Sequence, residues 1–92
     1  MKVIMGIPWC EERDYPRILE IMDDADRLPA TFASWLKKAE KAEREFKRHG
    51  HDVVRAVIDP DRFPAWCHSH GLKRLDAQAR IAFASYVAAG KA

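Results

Sequence analysis

The residues from Thr31 to Asp59 restrict the fold more than any other part of the chain, because their periodicity changes once, from helical to extended, between two stop signals. Thr31 carries a side-chain oxygen able to cap a helix, and Phe32, Trp35, Leu36, Ala39, Ala42 and Phe46 recur behind it at helical spacing. Gly50 comes after a basic last turn, the usual ending of a helix. From His51 to Ile58 the pattern is short and β-branched, and Asp59-Pro60-Asp61 stops it. A chain holding both a long amphipathic helix and an apolar strand is expected to be α+β.

The flanking segments extend that reading. Val3 to Ile7 reads as a first strand, with Val3, Met5 and Ile7 on one face and Lys2, Ile4 and Gly6 on the other, ended by Pro8. A helix should begin between Glu11 and Asp14, since Pro16 is tolerated only in an opening turn, and Tyr15, Ile18, Leu19 and Met22 form its stripe. Asp23 to Ala30 reads as a loop. After the second strand, Asp61 is expected to cap a short helix with Pro64 in its first turn and Phe63, Trp66, Cys67 and His70 on one side. Gly71 should close it and let Leu72 fold back. Asp76 should cap a last helix reaching about Ala89, with Ala79, Phe83, Tyr86 and Val87 buried.

The expected order is therefore β-α-α-β-α-α in a single small domain, residues 1–92, with two strands covered by helices. A domain of this size has a modest core, so Trp35 and Trp66 are expected to anchor it. Two strands alone are marginal in water. An edge left open invites the same edge of a second copy, so a homodimer with a continuous four-stranded sheet is expected.

Composition narrows the setting more than the activity. Cys10 and Cys67 are too few for a disulfide scaffold and read as free thiols. No run is long enough to cross a bilayer, and the opening apolar stretch is too short for a secretory core, so a cytoplasmic protein is expected. The net charge of +2 names no partner. Its distribution is uneven, acidic from Glu11 to Asp26 and basic from Arg27 to Arg48.

Four groups of residues could carry chemistry. Cys67 with His68 and His70 resembles a thiol beside a base, but it falls near a helix C-terminus among Phe63 and Trp66, where both the dipole and the apolar setting disfavour a thiolate. His49 and His51 with that trio raise zinc, yet neither C-x2-C nor H-x3-5-H spacing is present. No catalytic, cofactor or metal residue is therefore assigned. Lys37, Lys38 and Lys41 on the basic helix could contact nucleic acid, although Glu40 with Arg44 and Glu43 with Lys47 suggest an ordinary solvated face. Trp9 has no stripe; it either staples the first helix or marks a partner contact. Glycine-rich phosphate loops and nucleophile elbows are missing from the sequence.

Leu28-Pro29-Ala30-Thr31 with Trp35-Leu36 and Ala39-Glu40, then Ile58-Asp59-Pro60, Phe63 and Trp66-Cys67, resemble a small uncharacterised bacterial protein family. Gly71-Leu72 and Asp76-Ala77 through Ala79-Arg80 continue the likeness, which spans roughly Glu12 to Ala84. The resemblance implies a bacterial α+β fold with no assigned activity and adds no catalytic residue. The first reading is thus a small non-catalytic interaction or regulatory module. A small enzyme with a polar groove near Arg55, His68 and His70 is second, and weak nucleic-acid binding through residues 37–48 is third.

Overall fold

Thr31 accepts a hydrogen bond from the Ser34 amide through Oγ1 at 3.2 Å, and helix α2 (Phe32–Arg48) starts there. Around it, the computed structural model describes residues 3–90, so Lys2 of the expected first strand lies outside the described residues. The elements run β1 (Ile4–Trp9), α1 (Tyr15–Ile21), α2, β2 (Asp52–Val57), α3 (Phe63–Ser69) and α4 (Ala77–Ala88). Short 3-10 turns at Glu12–Asp14 and Ala25–Arg27 flank α1. The α+β order β-α-α-β-α-α is the one the sequence suggests. Gly50 and Gly71 end α2 and α3 in the left-handed region at φ 87° and 74°, with His51 N–H reaching back to the Phe46 carbonyl and Leu72 N–H to that of Cys67.

β1 and β2 pair in parallel, from Ile4 opposite Asp52 to Trp9 opposite Val57. Parallel strands need a long crossover, which α1 and α2 supply. β1 does not end at Pro8, as the sequence suggested, but passes through it to Trp9. The ladder explains why. Asp52 N–H donates to the Val3 carbonyl at 3.0 Å and Ile58 N–H to that of Trp9 at 2.8 Å, so odd residues of β1 face β2 and even ones face away. Pro8 therefore lacks an N–H only on the open edge, where no ladder bond is lost.

Each face of the sheet carries one long helix. On one side Trp9 meets Trp35 of α2 edge to face, with centroids 5.2 Å apart. On the other, α4 lies directly on the β1 backbone at Gly6. A Cβ there would collide with the Ala84 carbonyl and stand 3.1 Å from the Ala88 Cβ. The core gathers beyond the carboxyl ends of the strands, where Cys10, Tyr15, Ile18, Met22, Ile58, Phe63, Cys67 and Ala79 pack together. The Tyr15 hydroxyl donates to the Pro29 carbonyl at 2.6 Å, fixing the loop that leads into α2.

Several local expectations need correction. Asp61 does not cap α3: its own N–H donates to Asp59 Oδ1 at 2.9 Å, an Asx turn, and the residue ahead of α3 is Arg62. In α4 the buried residues are Ala79, Arg80 and Ala84, whereas Phe83, Tyr86 and Val87 are only half-buried. The short side chains face the sheet because α4 approaches too closely for long ones. Trp35 and Trp66 are likewise half-buried, and the buried tryptophan is Trp9, 7% exposed.

The acidic loop after α1 is tied down at two points. Asp23 exchanges two bonds with Leu75, each 2.8 Å: its N–H donates to the carbonyl, and its carboxylate accepts from the amide. Asp24 takes a forked pair of 2.8 Å bonds from Arg80, whose Nη1 also touches the Met22 sulfur at 3.4 Å. These two side chains are 11% (Arg80) and 13% (Asp24) exposed. Hydrogen bonds from Arg80 hold the Asp24 carboxyl below its ordinary value, against the opposing effect of burial.

Gly6→Ala should lower stability by about 2 kcal/mol, read from urea midpoints, because helix and strand backbone must separate to admit the methyl. The lowered Asp24 pKa contributes stability that is present above the ordinary carboxylate range and is lost as pH falls through the folded-state value. Asp24→Asn should therefore be less stable than the parent at neutral pH, with the gap in thermal midpoint shrinking below about pH 4.

Candidate functional site

The apolar stripe of α2 is where the sequence promised core and the structure leaves space. Ala42 is exposed and Trp35, Ala39 and Phe46 are half-buried. They form one wall of a groove of about 590 Å³ that runs along the open edge of β1. Met5, Gly6, Ile7 and Pro8 make the floor, and Ala77, Arg80 and Ile81 of α4 make the opposite wall. Arg27, Leu28 and Pro29 also line it. Because α2 and α4 flank opposite faces of a two-stranded sheet, the groove occupies the place of a third strand.

Its floor has free backbone chemistry. By the alternation of the ladder, the N–H groups of Ile4 and Gly6 face the open edge, where no strand pairs with β1 among the described residues. Ile81 on the α4 wall is 59% exposed, and Ile4 at the edge 53%. Lys38 on α2 and Arg27 at the end of the second 3-10 turn stand at the rim, and Arg27 also borders a hollow lined by Asp23, Asp24, Asp26 and Asp76. Neither forms an ion pair with a described carboxylate, whereas Arg80 is committed to Asp24.

Other residues that the sequence singled out are distributed differently. Arg55 donates through Nε and Nη2 to the two Glu43 oxygens, at 2.7 and 2.9 Å, and its guanidinium lies 3.9 Å over the Trp9 ring. Glu43 is 9% exposed, and Arg55 holds its carboxyl below the usual range. Glu43 is thus part of the packing under β2, not the Lys47 partner on a solvated face. Trp9 is buried between Trp35 and Arg55 and is not exposed as a surface contact.

His68 and His70 stand apart from Arg55, on the α4 side of the sheet. The His70 ring stacks on Trp66 with centroids 4.3 Å apart and meets Tyr86 edge to face. His70 Nδ1 lies 2.9 Å from the Trp66 carbonyl, which only accepts, so Nδ1 carries the proton. The indole Nε1 of Trp66 is buried without a hydrogen-bond partner. His68 lines a separate hollow with Cys67, Leu72 and Leu75. The three residues of the expected polar groove are therefore not brought together.

Burial pushes the Cys10 thiol up to about 12, and Cys67 is raised for the same reason. Both are protonated at neutral pH and poor nucleophiles. Among the described residues, no group of three or more His, Cys, Asp or Glu side chains is placed to hold a metal ion. His49 Nδ1 bonds the Glu45 carbonyl and His51 packs on Phe46. Lys37, Lys38 and Lys41 are all exposed; Lys38 turns to the groove, while Lys41 joins Arg44 and Arg48 around a basic hollow. No described helix is long and apolar enough to cross a membrane.

Sequence reasoning missed the groove because Ala39, Ala42 and Phe46 carry the same signal whether another element covers them or not. The usable sign was Gly6 in the first strand, which marks a close helix. Comparison with curated proteins and with solved structures found no match. A family model described as a domain of unknown function (DUF8829) matches residues 10–92, from the end of β1 through the last helix. The chain belongs to that family.

Proposed function

We propose that this chain is a small non-catalytic interaction module of a bacterial cytoplasm, and that its contact surface is the groove along β1. The observation that carries the reading is an apolar trough with the outward-facing Gly6 N–H on its floor and that of Ile4 on the same strand edge, flanked by an amphipathic helix whose stripe is partly uncovered among the described residues. Such a sheet edge accepts an added strand: main-chain bonds supply affinity, and the helical walls select side chains. An enzyme would instead need convergent polar groups with poised pKa values. Arg55 is occupied by Glu43, and both thiols are held protonated.

Self-association is the second reading, favoured because each strand has one edge without a strand partner among the described residues and Val57 on β2 is 43% exposed. Nucleic-acid contact through Lys37, Lys38 and Lys41 ranks third, since Trp35 and Phe46 line the groove and offer the basic face no stacking platform.

The test is selection from a displayed library of random peptides, run beside the double variant Ala42→Glu/Ile81→Glu. Both positions are exposed, so the variant should keep the parent circular dichroism and thermal midpoint. Enrichment of extended apolar peptides by the parent, lost in the variant, is the expected result. Equal enrichment by both, or none by either, overturns the groove as the contact surface. Sedimentation of the free protein at high micromolar concentration decides the second reading, which a strict monomer removes.

A further inference from the structure

We infer that the outward ridge of α2 is a contact surface for the phosphate backbone of a nucleic-acid duplex, separate from the β1 groove. At about 100° per residue, Lys37, Lys41, Arg44 and Arg48 fall within about 60° of one another, on the side of α2 opposite Trp35, Ala39 and Phe46. All four are exposed. Along the helix axis they form a row about 16 Å long.

In the sequence, Glu40 with Arg44 and Glu43 with Lys47 look like pairs that would neutralise this face, yet neither closes to ion-pair distance. Glu43 is turned under β2 to Arg55. Glu40 is half-buried, and its charge, after the Glu43 bonds, also acts on Arg55. Lys37, Lys38, Lys41, Arg44, Lys47 and Arg48 are therefore exposed cations without an ion pair among the described residues. Glu45 is the exposed carboxylate of α2, and it borders a hollow in which Lys41, Arg44 and Arg48 outnumber it. The helix keeps a local excess of positive charge that its sequence spacing conceals.

The chemistry of the ridge selects among polyanions. Its four side chains include no apolar or aromatic one, so it lacks the apolar centre around which protein interfaces are built and has nothing to insert beneath lipid headgroups. A second copy is a poor match, because Asp23, Asp24 and Asp76 of its acidic surface already accept hydrogen bonds within their own chain. A duplex presents its phosphates in continuous rows and is held through charge alone. Single strands depend on aromatic side chains that stack their bases, whereas the bases of a duplex are already stacked. The missing stacking platform thus tells against single strands and leaves the duplex.

The experiment uses the full chain without an affinity tag and a labelled DNA duplex of about twenty base pairs. In anisotropy titrations, log affinity should fall with log salt at a slope of about −3.5, as about four neutralised phosphates require, or about a hundredfold between roughly 0.05 and 0.2 M salt. Lys41→Gln/Arg44→Gln should lower the slope by about 2 and the affinity by more than about tenfold at roughly 0.1 M salt. Both positions are exposed, so circular dichroism and the thermal midpoint should match the parent. Arg13→Gln/Arg62→Gln removes the same charge from exposed positions outside α2 and should keep the parent slope.

Equal weakening by the two double variants makes net charge the cause and overturns the ridge. A single strand bound as tightly as the duplex overturns the proposal. So do polyglutamate or vesicles of anionic lipid bound more tightly than the duplex at equal charge concentration, and so does the lack of salt-sensitive binding at about 0.05 M salt. Duplex RNA of the same sequence, run beside the DNA, decides which polymer supplies the phosphates, and binding of either supports the ridge.

Discussion

The close approach of α4 to β1 is the contact on which the rest of the structure depends. At Gly6 the helix backbone touches the strand backbone, with Ala84 as the residue that meets it. This fixes which face of α4 carries small side chains and turns Arg80 toward the loop after α1. Arg80 then neutralises Asp24, which brings that loop against the start of α4, while Asp23 and Leu75 close the same junction through the backbone. The large apolar residues, excluded from the helix–strand contact, gather beyond the strand ends around Tyr15, Phe63 and Ile58.

The opposite face solves a different problem. α2 covers the sheet through Trp9 and Trp35, but an arginine sits in the middle of that face at Arg55. Its guanidinium is laid flat on Trp9 and paired with Glu43, so that the charge is held at the margin of the apolar layer without being lost to it. One helix thus presents a carboxylate inward and alanines sideways. The remainder of its apolar stripe projects past the sheet, which ends one strand too soon to cover it.

Much of this architecture was legible in the sequence. Thr31, Gly50, Gly71 and Asp76 act through local hydrogen bonding and backbone freedom, and each works where its neighbours imply. Periodicity located the elements but not what lies against them. Trp9 lacked a helical stripe because it belongs to a strand that Pro8, read from sequence, should have ended, and only the direction of the ladder shows Pro8 to be harmless. Glu43 looked like a surface charge and nothing pointed to Arg80 as a buried one, since their partners are 12 and 56 positions away and no spacing rule links them. The groove was invisible for the same reason: a covered alanine and an uncovered one are the same letter.

Pro8 also bears on how far a sheet whose two outer edges have no strand partner among the described residues can be extended. Strands that pair indefinitely, molecule upon molecule, build filaments, and an unbroken edge is the template for that growth. On β1 the template is interrupted by a proline nitrogen that carries no hydrogen and is bordered by two helices, which shortens the stretch open to regular pairing. An edge so bounded offers pairing over only part of its length.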